Sequence, residues 1–234
     1  MSGPAIVDRP SPNHDARPAD GPIDMLVLHY TGMQSAQAAL ERLTDPAAKV
    51  SAHYCIDEDG TVFRLVDEAC RAWHAGLSHW RGLADINARS IGIELVNPGH
   101  EWGYRAFPPA QIDALVGLAQ DILARNLSIE PRHIVGHSDI APTRKTDPGE
   151  LFPWHALAVA GIGLWPEELP APPAALIDRG QAAHLLATIG YDCADFAAAL
   201  TAFQRRFHQQ RVDGTLDQPA MARLATVARR YSNG

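Results

Sequence analysis

The strongest constraint on the fold is a set of metal-binding side chains that lie far apart in the sequence. The segment VGHSDIAPTRKTDPG (135–149) carries His137 and Asp147, and the apolar run LVLHYTG carries His29 far upstream. Two histidines and an aspartate supply three protein ligands and leave a fourth tetrahedral position for water, which is typical of a catalytic zinc site. Lys145, two residues before the aspartate, brings positive charge to the same place.

Each of these residues, taken alone, has an ordinary alternative interpretation. The chain contains 11 histidines, and a single histidine at a strand end is commonly a hydrogen-bonded core or edge residue. The combination of two histidines, one aspartate and one lysine favours the metal site over that alternative.

Length, charge and composition exclude several classes of protein. A chain of 234 residues with 46% apolar residues suits one medium domain plus a small one. The net charge of −7 argues against a nucleic-acid partner, and no run of 18 apolar residues predicts a membrane span. Cys55, Cys70 and Cys193 do not form a disulfide or zinc-binding pattern and are expected to be free and buried. The sequence does not indicate an oligomeric state.

Hydrophobic periodicity predicts a mixed α/β domain whose central β-sheet is flanked by helices. Apolar or alternating runs predict strands over 23–30, 90–97 and 133–137, and a hairpin over 51–66 with its turn at Asp59-Gly60. Helical spacing predicts helices over 34–43 and 108–126. The candidate site residues then fall at strand ends or in loops.

A Pro-rich stretch divides the chain. Residues 1–163 form the predicted catalytic domain, with a core of about 20–155, and 164–175 form a semi-rigid linker. Residues 176–234 form a predicted three-helix domain, with helices at about 179–189, 194–207 and 218–231. Because the linker isolates these helices, we expect them to fold as an independent unit.

A glutamate inside a buried strand is the sharpest anomaly of the first domain. Glu94 lies in IGIELV, where a carboxylate is costly to bury unless it is paired or lies near a cation. It is either a general base beside a metal-bound water or a residue on the solvent face of the sheet. His53, in SAHY, and His74, in AWHAG, are candidate ligands, orienting groups or substrate contacts.

Five segments follow one another along the chain in the order LHYTG, SAHY, AWHAG, N-x-x-SIGIELVN and GHSDIAP-x-RKTDPG. In sequence and order they resemble the zinc-dependent N-acetylmuramoyl-L-alanine amidases of the AmpD and AmiD type. The resemblance covers about residues 20–155 and extends to the peptidoglycan-recognition proteins. It implies one zinc ion, held by His29, His137 and Asp147. It also implies that Glu94 is the catalytic base and that Lys145 stabilises the oxyanion.

The resemblance further implies a substrate: a muropeptide or peptidoglycan fragment, cut between N-acetylmuramic acid and L-alanine. We expect His53, His74, Asn87 and Arg71 to contact it. Some relatives carry a tyrosine just before the histidine of SAHY and a cysteine as third ligand. Ala52 and Asp147 stand there in this chain, as in the AmpD and AmiD pattern.

The C-terminal segment AFQRRFHQQRVDGTLD resembles the FQ…DG…LD signature of small peptidoglycan-binding domains. Asp217 and Ala220 replace the Gly and Thr that usually follow the DG turn. The tail therefore either binds peptidoglycan or only packs on the catalytic domain.

Two other functions and two compartments stay open at this point. The rivals are a non-catalytic peptidoglycan-recognition protein and a zinc peptidase that cuts elsewhere in the stem peptide. The N-terminus lacks a basic and then apolar signal segment, so we expect a cytoplasmic enzyme that recycles soluble anhydromuropeptides. The alternative is a periplasmic enzyme whose export signal is missing from this sequence.

Overall fold

The structure, a computed structural model, describes residues 5–19, 21–166 and 177–233. The strands in these residues are β1 Ile6–Asp8, β2 His14–Ala16, β3 Met25–Tyr30, β4 Tyr54–Ile56, β5 Val62–Arg64, β6 Cys70–Ala72, β7 Ser90–Leu95 and β8 Ile134–Gly136. The helices are α1 Ala36–Thr44, α2 Ile86–Arg89, α3 Gly99–Trp102, α4 Pro109–Arg125, α5 His137–Ile140, α6 Trp154–Val159, α7 Arg179–Ile189, α8 Phe196–Phe207 and α9 Gln218–Asn233. The predicted linker, 164–175, lies outside the described residues from position 167 onward.

A mixed β-sheet forms the centre of the first unit. Its strand order within the described residues is β1-β5-β4-β7-β3-β8, and β2 pairs separately with β6. The strands β4, β7, β3 and β8 run parallel, whereas β5 is antiparallel to β4. This arrangement confirms the predicted fold class and the predicted hairpin. The strands β1, β2 and β6 were not predicted from the sequence.

The longest helix of the first unit follows from its sequence. Pro109 begins α4, at a position where the missing N–H of proline has no helical partner to lose. Leu115, Leu118, Ala119 and Ile122 are buried at helical spacing along α4. They pack on one face of the sheet as predicted.

Side chains of the central strand β3 alternate between the two faces of the sheet. Leu26 and Leu28 belong to the apolar cluster that includes α4 and α6. Met25 and Val27 belong to a different cluster on the opposite face. Because successive side chains of a strand point to opposite faces, His29 lies on the face of Met25 and Val27.

The C-terminal helices pack on that same face. One apolar cluster joins Met25, Val27 and Trp80 to side chains from all three helices: Ala182, Leu186 and Ile189 of α7, Leu200, Phe203 and Phe207 of α8, and Met221, Leu224 and Val227 of α9. The three helices themselves lie close to where they were predicted. The expectation that they fold independently is not supported, because they share this core with the sheet. The division at 163 and 176 stays a prediction.

A substitution in the shared core tests how the two parts are coupled. Leu200 of α8 is 0% exposed, and Leu200→Ala should lower the free energy of unfolding by about 2–5 kcal/mol. Because the core is shared, hydrogen exchange should report a similar loss of protection in β3 and in α8.

The control is Leu127→Ala, since Leu127 is 87% exposed and should change stability by less than about 0.5 kcal/mol. If Leu200→Ala weakened protection only within 177–233 and left β3 unchanged, the helices would be an independent unit after all.

Candidate metal centre and active site

Three predicted metal ligands meet at the carboxyl end of the parallel strands. His29 is on β3, His137 follows β8 directly, and Asp147 lies on the loop after α5. His29 Nδ1 lies 2.9 Å from His137 Nδ1, and both nitrogens lie 3.0 Å from Asp147 Oδ2. All three residues are buried. Their ligand atoms all lie within 4.8 Å of one another, so among the described residues these three side chains could together hold a metal ion.

The hydrogen-bond partner of His137 fixes which ring nitrogen carries its proton. His137 Nε2 lies 3.1 Å from the Ala75 carbonyl oxygen. A carbonyl only accepts, so Nε2 carries the hydrogen and donates it. In the neutral ring, Nδ1 then directs its lone pair toward His29 and Asp147.

A chain of hydrogen bonds fixes the proton of His29 in the same way. Ser90 Oγ donates to the Ile86 carbonyl at 2.7 Å, so it accepts from His74 Nε2, 3.1 Å away. His74 Nδ1 is therefore an acceptor, and His29 Nε2 donates to it at 3.0 Å. His74 fits there because Gly92 lies beneath its ring; a Cβ at Gly92 would come within 2.5 Å of the ring.

These two assignments leave three acceptor atoms facing one another. Two Nδ1 lone pairs and a carboxylate oxygen, at 2.9–3.0 Å, repel one another unless a cation lies between them. Ligands about 2.0–2.1 Å from a tetrahedral zinc ion lie about 3.3 Å apart, which is close to this spacing. The donor set, its size and its fixed tautomers therefore fit a divalent metal ion.

The charge states of the ligands suit metal binding. Burial and the nearby His137 lower the pKa of His29 to about 4, so its ring is neutral near pH 7. Burial alone would raise the pKa of Asp147, yet this pKa lies well below its ordinary value, because positive charge at the site, from a proton or a metal ion, favours the ionised carboxylate. Metal ligation requires these forms, a neutral imidazole and an ionised carboxylate.

Glu94 lies beside the three ligands. It pairs with His29 in the register of β3 and β7, so both side chains project from the same face. It is buried, and its Oε2 has no hydrogen-bond partner in the described part of the chain. Burial and the charge of Asp147 raise its pKa to about 8, while Lys145 opposes the shift. Glu94 therefore faces the site and not the solvent.

A cavity of about 510 Å³ opens onto these residues. Its lining includes His74, Glu94, His137, Lys145 and Asp147. The cavity is also lined by residues that the sequence analysis did not single out, among them Tyr30, Arg42, Glu101, Trp102 and Arg144. Two of these had a weak signal, because Tyr30 and Arg144 directly adjoin His29 and Lys145. The sequence gave no signal for Trp102, because only the structure reveals that this half-exposed ring lies at the cavity.

The other predicted substrate contacts lie outside that lining in the described part of the chain. His53 is buried, accepts from the Gly92 N–H and contacts the Cys70 carbonyl oxygen through its other nitrogen. Asn87 accepts from the backbone N–H groups of His74 and Ala75.

Arg71, the remaining predicted contact, forms ion pairs with Asp15 and Asp85. Of the four predicted substrate contacts, the structure brings His74 to the cavity. His53, Asn87 and Arg71 instead bond to other groups of the protein.

The raised pKa of Glu94 predicts a pH-dependent cost to stability in metal-free protein. The unfolded chain releases this proton near the ordinary value of 4.5, whereas the folded protein retains it up to about 8. The unfolded state binds fewer protons between these values, so the free energy of unfolding falls by up to about 1.4 kcal/mol per pH unit.

Glu94→Gln has no such proton, so its stability relative to the wild type should rise across this window and then level off. Urea unfolding of both metal-free proteins at several pH values measures the difference. Parallel stability curves would mean that Glu94 is ionised or solvated in the folded state.

Comparison with known proteins places this site in a family context. A family model described as N-acetylmuramoyl-L-alanine amidase matches residues 19–150. The N-acetylmuramoyl-L-alanine amidase AmiD of Escherichia coli K12 is 38% identical over 234 residues, which covers 89% of this chain and 83% of that protein. The 1,6-anhydro-N-acetylmuramyl-L-alanine amidase AmpD of Enterobacter cloacae is 37% identical over 162 residues, covering 62% of this chain and 84% of that protein.

Solved structures agree with these relatives. AmiD from E. coli, in complex with the substrate anhydro-N-acetylmuramic acid-L-Ala-D-gamma-Glu-L-Lys, superposes with a TM-score of 0.82 at 37% identity and covers 92% of this chain and 93% of that one. AmpDh3 from Pseudomonas aeruginosa, in complex with anhydromuramic pentapeptide, gives a TM-score of 0.81 at 36% identity, with 89% and 92% covered. Within the described residues, no helix has the length and apolar character needed to cross a membrane.

Proposed function

Because this chain belongs to the N-acetylmuramoyl-L-alanine amidase family, we propose that it hydrolyses the amide bond between N-acetylmuramic acid, or its 1,6-anhydro form, and the L-alanine of the stem peptide. The observation that carries the proposal is the buried triangle of His29, His137 and Asp147 beside Glu94. Relatives bound to anhydromuramic peptides support the substrate class.

The proposed metal ion is zinc, held by His29 Nδ1, His137 Nδ1 and Asp147 Oδ2. When bound, zinc supplies Lewis acidity, which polarises the scissile carbonyl group and makes water more acidic. Two imidazoles and one carboxylate, with room for a further ligand, are typical of catalytic zinc sites. The positive charge of the ion would also lower the pKa of Glu94 from its high value.

Glu94 and Lys145 would carry the proton transfer and the charge stabilisation. Glu94, with its unpartnered Oε2, would take a proton from the attacking water. It would then give that proton to the leaving nitrogen of L-alanine, so that water is added across the broken C–N bond. Lys145 lines the same cavity and would stabilise the negative charge that develops on the carbonyl oxygen.

Product analysis with three variants tests this assignment. The wild type should release free stem peptide and the sugar from an anhydromuropeptide, as resolved by mass spectrometry. Glu94→Gln should keep its zinc and lose about a hundredfold or more in turnover, the usual scale for a general base. His137→Ala should lose both zinc and activity.

The matched control is His184→Ala, since His184 is an exposed histidine on α7, and it should retain zinc and turnover. Products cut within the stem peptide would identify a peptidase, and the absence of any product from zinc-loaded wild type would identify a recognition protein. Wild-type turnover in folded Glu94→Gln would remove Glu94 from the mechanism.

We also propose that the substrates are small soluble fragments in the cytoplasm. The thiols of Cys55, Cys70 and Cys193 form no disulfide in the described residues, which is compatible with a reducing compartment. Cys55 is buried as expected, whereas Cys70 and Cys193 are only partly buried. Turnover of anhydromuropeptides should then exceed that of intact sacculi. Recovery of the native protein in a periplasmic fraction would refute the compartment and leave the amidase chemistry unaffected.

A further inference from the structure

We propose that Arg206 of the C-terminal helix α8 is a positioning residue for the metal ligand His137. The proposal rests on the zinc site proposed above and extends it to a part of the chain outside the cavity. It concerns one buried ion pair, between Arg206 and Asp139, which joins the C-terminal helices to the turn that carries His137.

The ion pair is almost completely closed off from solvent. Arg206 and Asp139 are 2% and 1% exposed, and Arg206 Nη1 donates to Asp139 Oδ2 at 2.8 Å. The guanidinium also lies 4.0 Å from the centre of the Trp154 ring. Desolvation of two charges offsets most of their attraction, so this buried ion pair is weak evidence for stability, and its significance lies in the groups that it connects.

The contacts of Arg206 bracket the metal ligand. Its Nη2 donates to the Ile134 carbonyl at 2.9 Å, at the start of β8, while its Nη1 holds Asp139 on the following helix. His137 lies between these two points in the sequence. A planar guanidinium has several N–H donors in fixed directions, so it can bind both partners at once. A lysine ammonium does not have this planar arrangement of donors.

Asp139 transmits this constraint to the backbone next to the ligand. The carboxylate Oδ2 that binds Arg206 also accepts from the Gly136 N–H at 2.8 Å, and its Oδ1 accepts from the Tyr191 hydroxyl at 2.6 Å. Gly136 directly precedes His137 and has no room for a side chain, since a Cβ there would come within 2.7 Å of Pro148. Two residues of the C-terminal part, Arg206 and Tyr191, therefore set the turn from which His137 projects.

Two variants with a matched control test the proposal in the full-length zinc enzyme. Arg206→Lys keeps the positive charge but loses the planar set of donors that binds Ile134 and Asp139 together. The zinc dissociation constant, measured by chelator competition, should therefore rise about tenfold. Tyr191→Phe removes one hydrogen bond and should raise it about threefold. In both variants kcat should fall with KM little changed, because the substrate cavity is untouched.

The control is Leu224→Ala, which removes a buried side chain of α9. It should lower the melting temperature but keep wild-type zinc affinity and kcat where the protein is folded. If Arg206→Lys does not fold, Tyr191→Phe decides. Zinc affinity within twofold of the wild type in a folded variant would overturn the positioning role. The wild-type zinc content and products test the proposed function separately, so the two failures are distinguishable.

Discussion

The repulsion among three buried acceptor atoms is the physical constraint on which the active site depends. The Ala75 carbonyl forces the proton of His137 onto Nε2, and the His74–Ser90 chain does the same for His29. Both imidazoles therefore direct lone pairs at an ionised Asp147. A cation between these atoms is the partner that makes this arrangement favourable.

The topology of the sheet brings these atoms together. His29, Glu94 and His137 come from β3, β7 and the end of β8, three neighbouring strands that run parallel. The carboxyl ends of parallel strands share one edge of a sheet, which is a common place for a site in α/β proteins. The small residues Ser90 and Gly92 lie on the face of β7 that also carries Glu94, and they leave space for the ring of His74.

The sequence predicted those features that depend on local pattern or on a resemblance. Buried strands such as β3 and long amphipathic helices such as α4 follow from hydrophobic periodicity. The ligand set came from residue chemistry and motif order, and the structure brings the three ligands together. The burial of Glu94 was indicated by its apolar neighbours, although its orientation required the register of β7 against β3.

What the sequence could not predict depends on contacts between distant segments. The Pro-rich linker suggested an independent tail, but Met25 and Val27 share a core with Phe203 across that break. The pairing of Arg206 with Asp139 is likewise invisible in the sequence, because no local pattern relates positions so far apart. The cavity-lining role of Trp102 depends on how a short helix is placed and not on its composition.

The position of the bound metal ion shows whether the three buried acceptor atoms form the site. Anomalous diffraction at the zinc absorption edge, on crystals of the zinc-loaded full-length protein, locates the ion independently of activity. We expect one zinc ion about 2.0–2.2 Å from His29 Nδ1, His137 Nδ1 and Asp147 Oδ2. Zinc bound elsewhere, or no zinc peak between these three atoms at saturating zinc, would contradict it.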